Sequence, residues 1–331
     1  MIAYIIRRVL YIIPMLVLIS VIAFIAMELP PGDYVSQQIE QIRMQYGQDD
    51  EAVERRVRAL RDRYGLDQPP AQRYFTWIGN IILRGDFGRS FVRNQPVLEI
   101  VGTRIGLTLI LSLSTLVFAW IVAIPIGVYS AIRQYHAFDY GATFVAFIGR
   151  ATPNFLLALI LMYIMYRWFG WSVGGLFSPE YLEAPWSWGR VVDLLQHLLL
   201  PIIVIGTADT AGLVRVLRGM VLDELHKDYV MLARAKGMPE HVVIWKHIFK
   251  IAALPVVSTI GWLLPRLISG AAITSVVLNL PTTGQAMLQA LQNQDMYVAG
   301  AFILILSTLT MLGTLLSDIL LAFMDRRIQY S

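Results

Sequence analysis

The stretch DYVMLARAKGMPEHVVIWKHIFKIAALP, Asp228 to Pro255, is a polar and basic passage set between two long apolar runs. All the lysines of the chain lie in or beside it, at Lys227, Lys236, Lys246 and Lys250. In so hydrophobic a chain a concentrated basic loop marks the side that meets the cytoplasm, because short cytoplasmic loops of membrane proteins hold the Lys and Arg excess. Tyr229 to Lys236 is rich in good helix formers, Gly237 is a natural C-terminal stop, and Pro239 can open a following helix in its first turn. The stretch therefore predicts a short helix, a break, and a second helix that leads into the membrane. A short exposed helix with small alanines and a terminating glycine is shaped for docking against another protein.

Working outward, the 331 residues are 56% hydrophobic and only 15% charged, with a mean hydropathy of +0.59. A soluble domain of this length would carry far more charge, so the expected class is an all-α polytopic membrane protein. The absence of cysteine excludes disulfides, thiolate zinc sites, Fe–S clusters and cysteine nucleophiles. The net charge of +4 fits membrane orientation rather than nucleic acid, since the bases border apolar spans. Arg7 and Arg8 precede the first apolar run, which reaches Leu29 and is long enough to span and remain as a signal anchor.

Six spans follow, at about Val9–Leu29, Thr103–Ala131, Tyr140–Trp168, Val191–Leu217, Ala252–Leu280 and Tyr297–Met324. Pro125 can kink the second; Arg150, Pro153 and Asn154 interrupt the third; Pro201 breaks the fourth. Residues 30–102 have soluble composition and must lie outside if the first span crosses, with Val53, Val57, Leu60 and Tyr64 on one face of an amphipathic helix. Arg84, Arg89 and Arg93 lie near the second span and count against that placement. The loop Pro281 to Met296 carries no Lys or Arg, and Asp325-Arg326-Arg327 holds the C-terminus inside. The expected division is thus a cytoplasmic N-terminus and first span at 1–29, an extracytoplasmic segment at 30–102, and a transmembrane core at 103–331 whose cytoplasmic loop is 218–251.

No HExxH, GxSxG or GxxxxGK[ST] motif occurs, so nothing in the sequence points to a nucleophile, a metalloprotease or an ATP site. Charges inside spans are the better candidates, since one at a helix centre costs about 2.5–3.5 kcal/mol even on the lenient insertion scale. They are Arg150, Asp209, Arg266 and Asp318. Asp209 and Arg266 lie well inside their spans beside small or helix-breaking neighbours, which favours a translocation pathway; an interhelical ion pair explains them as well. Asp318, near the inner end of its span, is expected to pair with Arg326 or Arg327.

Ala233-Arg234-Ala235-Lys236-Gly237, with Pro239-Glu240, His247 and Leu254-Pro255, resembles the cytoplasmic loop of permease subunits of the ABC peptide and nickel importers. Tyr64-Gly65-Leu66-Asp67-Gln68-Pro69 and Gly85-Asp86-Phe87-Gly88-Arg89-Ser90, with Pro96-Val97, resemble the external segment between the first two spans of the same permeases, and Asp295 resembles their aspartate before the sixth span. Departures stand at Met231, Ser275 and Thr282, where the family pattern has an acid, an acid and a glycine. The resemblance implies the type I importer fold, MetI-like, of a bacterial inner membrane protein with both termini cytoplasmic. It implies an ATPase-docking coupling helix carrying Tyr229, Ala233, Arg234, Ala235, Lys236 and Gly237, so that bulky or charged substitution of Ala233 or Gly237 would uncouple hydrolysis from uptake.

The implied partners are a second homologous permease, two ATPase subunits that bind the ATP and Mg, and an extracytoplasmic substrate-binding protein. The chain itself would carry no cofactor, no metal and no catalytic site, and would sit in the lipid membrane without binding nucleic acid. Peptides are the implied cargo, with oligosaccharides or another small solute as the alternative on the same machinery. A reading of another class is an autonomous secondary transporter or channel using Asp209 and Arg266. Such proteins commonly show internal repeats and a relay of intramembrane acids, and this sequence shows neither.

Overall fold

The computed structural model describes residues 2–28, 55, 58–59, 67–170, 174–182, 184–261 and 272–324. In chain order the helices are α1 (Ile2–Glu28), α2 (Pro70–Arg84), α3 (Val97–Ile132), α4 (Ala137–Ala151), α5 (Asn154–Phe169), α6 (Trp188–Leu225) and α7 (Asp228–Ala235). They continue with α8 (Glu240–Gly261), α9 (Ala272–Val277), α10 (Thr283–Gln292) and α11 (Met296–Met324). Five of these, α1, α3, α6, α8 and α11, are long and apolar enough to cross a membrane, and the α4–α5 pair makes a sixth if it counts as one span. The longest, α6, has 38 residues, about 57 Å at 1.5 Å per residue, nearly twice a 30 Å hydrocarbon core. Pro14, Pro125 and Pro201 stand inside α1, α3 and α6 without ending them.

The run expected as a third span from Tyr140 to Trp168 is instead broken at Thr152-Pro153, where the two helix axes differ by 102°. Proline has no N–H to continue the ladder, and its ring drives the preceding residue out of the α region. Thr152 accordingly sits at φ −80, ψ 122 and Pro153 at φ −60, ψ 134. The fifth apolar helix also begins earlier than Ala252: it starts at Glu240, with Val243–Ile248 in π-helical form. Arg266, Pro265, the residues Val53, Val57, Leu60 and Tyr64 of the expected amphipathic face, Gly65-Leu66, Arg326 and Arg327 lie outside the described residues.

The chain divides into two compact units. The first holds Met1–Arg8, Leu107–Gly284 and Leu309–Ser331. It has two apolar clusters, one around Leu111, Leu198, Val204, Leu278 and Leu280, the other around Ala123, Leu217, Val221, Val230, Val243 and Ile248. Near the first cluster Asp193 accepts hydrogen bonds from Ser178 N (2.8 Å) and Ser178 Oγ (2.6 Å), and the Arg190 guanidinium lies 4.7 Å from the rings of both Phe177 and Trp186. The second unit holds Val9–Gly106 and Gln285–Thr308. Its cluster joins Phe24 and Met27 of α1, Trp77 of α2 and Leu304 of α11. There α2 is tied to α1 by the Ser20–Tyr74 hydroxyl pair (2.8 Å) and by Arg73 on Glu28 (2.9 Å).

A short exposed helix, two carboxylate latches and the charged face of α6

The basic stretch forms a short helix with one buried edge. Residues Asp228–Ala235 are α7, Lys236 caps it, and Gly237 takes the left-handed φ of 74 that only glycine adopts without strain. Arg234 then reaches back over this turn to Glu240 with two bonds, Nε at 3.1 Å and NH2 at 2.6 Å, closing the break between α7 and α8. That pairing raises the Arg234 pKa above its ordinary value. At the other end the Tyr229 hydroxyl donates to Glu224; burial first, and then this carboxylate, push its pKa up, so it stays a donor.

Val230 and Ala233 are buried in the cluster with Ala131, Leu217, Val221, Val243 and Ile248, and are the footing of α7. The six residues expected to form the docking surface therefore separate. Ala233 is under the helix and Tyr229 half under it, whereas Arg234, Ala235, Lys236 and Gly237 are exposed. Two residues that the sequence reading left out of the surface, Met231 and Leu232, are more than half exposed. Their signal was an apolar pair inside a short polar helix whose other apolar positions, Val230 and Ala233, complete a buried edge at spacing three. The loop itself is shorter than 218–251, since Arg218–Leu225 continue α6 and Glu240 onward begin α8.

Above this footing, Asp139 in the first turn of α4 is 2% exposed and accepts four bonds: from Arg218 Nε (2.6 Å) and NH2 (2.8 Å), from Ser130 Oγ, and from Tyr135 N (3.0 Å). One carboxylate thereby holds the α3–α4 turn, in which Tyr135 has φ 65, to α6. In the second unit Asp295 is 3% exposed and accepts from Ser90 Oγ, Phe91 N (3.2 Å) and Val92 N (3.4 Å). The Gly85–Ser90 segment is a turn closed by Asp86 on Gly88 N (2.8 Å), and it is fastened to the start of α11 through Asp295. Asp318 pairs with Arg8 at 3.2 Å.

Asp209 is half-buried on α6. It is not among the residues lining the cavity of about 480 Å³ between α3, α4 and α6, which presents Thr207, Thr210, Ala211 and Val214 from α6 and Phe138, Ala142, Val145 and Ala146 from α4. On another side of α6, Arg150 packs its guanidinium against Gly212 and Arg215 lies 4.3 Å over the Phe147 ring. Among the described residues no group of three or more His, Cys, Asp or Glu could hold a metal ion.

Helices of this length and apolarity are those of a membrane-embedded protein. The family described as binding-protein-dependent transport system inner membrane component matches residues 123–330, and its membrane-component N-terminal family matches residues 1–114. The chain belongs to this family. It is 37% identical over 331 residues, all of both chains, to the oligopeptide transport system permease protein AppB of Bacillus subtilis. It is 32% identical over 346 aligned residues, covering 100% of this chain and 99% of the other, to the dipeptide transport system permease protein DppB of Escherichia coli. It is thus a multi-pass transporter subunit of the permease kind, without a catalytic site of its own.

Proposed function

We propose that this chain is one of the two membrane-spanning halves of an ATP-driven importer of peptides. The observation that carries the reading is the end-to-end similarity to AppB, at 37% identity with no part of either chain left over. The cargo is proposed as di- or oligopeptides delivered by an extracytoplasmic binding protein, with a homologous permease forming the other half of the path. ATP and Mg belong to two ATPase subunits in the cytoplasm. The Asp228–Ala235 helix is proposed as the part that docks into them, and the exposed Met231, Leu232 and Ala235 with Arg234 and Lys236 supply an apolar centre and a basic rim. Closure of the ATPases on ATP would move this helix. Through its footing on Leu217, Val221 and Ile248 the motion would pass to α6 and α8 and turn the pathway from inward-open to outward-open.

The experiment expresses the chain with its neighbouring genes, extracts it in mild detergent, identifies what co-purifies, and assays ATP hydrolysis and peptide uptake in proteoliposomes. Recovery of a second permease and an ATPase, with hydrolysis stimulated by the binding protein, is the expected result. A chain that comes out alone and moves solute without ATP would overturn the reading.

A further inference from the structure

The helix α2 has two apolar faces. Tyr74, Trp77, Ile78 and Ile81 share the side that packs with Phe24, Met27 and Leu304. Phe75, Ile82 and Leu83 stand on another side, at helical spacings of seven and eight, and are 70%, 74% and 84% exposed. The polar residues Arg73, Thr76, Asn80 and Arg84 fill only the arc that remains. A helix on a water-facing surface has one apolar stripe and a broad polar face, so a second stripe this open has no reason in water.

The place of α2 is set by α1. The charge-free run of α1 from residue 9 to residue 27 is about 28 Å long at 1.5 Å per residue, no longer than a hydrocarbon core of about 30 Å. A span this short has no residue to spare, so Ser20 and Phe24 are taken up in the crossing along with the rest. It is on these residues that α2 packs. The Tyr74 hydroxyl pairs with that of Ser20 at 2.8 Å, and the Phe24 ring lies 5.5 Å from Tyr74 and 6.2 Å from Trp77. Ser20 is eight residues before Glu28, about 12 Å back along the helix. Only at Glu28 does the contact become charged, and there Arg73 answers it at 2.9 Å. The helix α2 is therefore level with the end of the span, not above it. Between the two helices runs a groove of about 390 Å³ lined by Val21, Phe24 and Ile25 of α1 and by Ala71, Tyr74 and Phe75 of α2, so the open face of α2 meets the exposed Val21 and Ile25 of α1 across it.

We infer that α2 is an interfacial helix that lies in the lipid leaflet at the Glu28 end of α1, with Phe75, Ile82 and Leu83 among the acyl chains and one chain seated in the α1–α2 groove. The inference rests on α1 crossing the membrane and not on the cargo or the ATPase partners. At the level of a charge-free span the surrounding medium is hydrocarbon, and a groove whose one acid is already paired offers an occupant nothing but apolar contact. The arc of Arg73, Thr76, Asn80 and Arg84 is the side left for headgroups and water.

The chain has no cysteine, so a nitroxide can be placed at one site at a time. Ala71→Cys, Phe75→Cys, Ile82→Cys and Leu83→Cys are compared with Thr76→Cys on the polar arc and with Val17→Cys, at an exposed position midway along α1. Each full chain, with the subunits that co-purify, is reconstituted into vesicles of phosphatidylethanolamine and phosphatidylglycerol. Collision of the label with oxygen, which concentrates among acyl chains, is measured against collision with a water-soluble nickel chelate. The expected result is an oxygen-to-nickel ratio at positions 71, 75, 82 and 83 that is at least ~5-fold above that of Thr76→Cys and close to that of Val17→Cys. A ratio like that of Thr76→Cys would put the face in water and overturn the inference. Weak collision with both reagents would show the face covered by protein, and would overturn it as well. Ready collision of Val17→Cys with the nickel chelate would instead remove the crossing of α1 on which the inference stands.

Discussion

At the scale of single residues the molecule is held by a few carboxylates, each doing the work of several bonds. Asp139 is buried with its charge and neutralised by Arg218, so truncating either partner strands the other. Arg218→Ala is expected to cost about 3–5 kcal/mol, read as a lower melting temperature in detergent. The Asp139→Ala, Arg218→Ala double variant is expected to cost less than the sum of the two. Asp295 is an acceptor for one hydroxyl and two backbone amides, so Asp295→Ala leaves these donors unsatisfied and costs about 1–3 kcal/mol. The consequence to measure is faster tryptic cleavage at Arg89 and Arg93, with Asp295→Asn in between. Neither set of partners could be read from the sequence. Ser130 and Asp139 are nine residues apart, but Ser90 and Asp295 are 205 apart, and Asp318 meets Arg8 from the other end of the chain.

At the scale of elements, α7 is the informative case. Its existence and its stop were legible because good helix formers end at a glycine, and Gly237 does have positive φ. Which of its faces is free was not legible, because eight residues make barely two turns and burial depends on what lies beneath. Ala233→Asp or Val230→Asp places a charge in the cluster with Leu217 and Ile248, and either is expected to destabilise the chain by about 3 kcal/mol or more. Met231→Asp and Leu232→Asp alter exposed positions. These variants are expected to melt like the wild type while uptake and stimulated ATP hydrolysis fall together ~10-fold or more, since a charge would enter the docked surface. Wild-type hydrolysis and uptake in both would remove the docking role from this face. Gly237→Ala is expected to cost about 1–2 kcal/mol from its left-handed backbone alone. The α4–α5 break is a second lesson at this scale: Pro153 marked an interruption, but the 102° angle between the two helix axes was not legible in it.

At the scale of the whole molecule, the alternation of apolar runs with basic loops predicts which side each loop faces, and the natural absence of cysteine makes this directly testable. Single replacements Arg93→Cys and Gln292→Cys are expected to react with a membrane-impermeant maleimide on intact cells, and Lys236→Cys only after the membrane is opened. The reverse pattern would invert the assigned topology. The sequence by itself determined the membrane class, the approximate runs of the first, second, fourth and sixth spans and the place of the basic helix, because burial in lipid imposes hydropathy on contiguous residues. It also named Arg150 and Asp209 as charges needing an explanation. Only the tertiary structure decided which charges are answered from elsewhere in the chain, which edge of α7 is footing, and that Arg150 packs its guanidinium on Gly212 of α6. Those outcomes depend on side chains brought together from distant positions, and no local pattern of hydropathy encodes such a meeting.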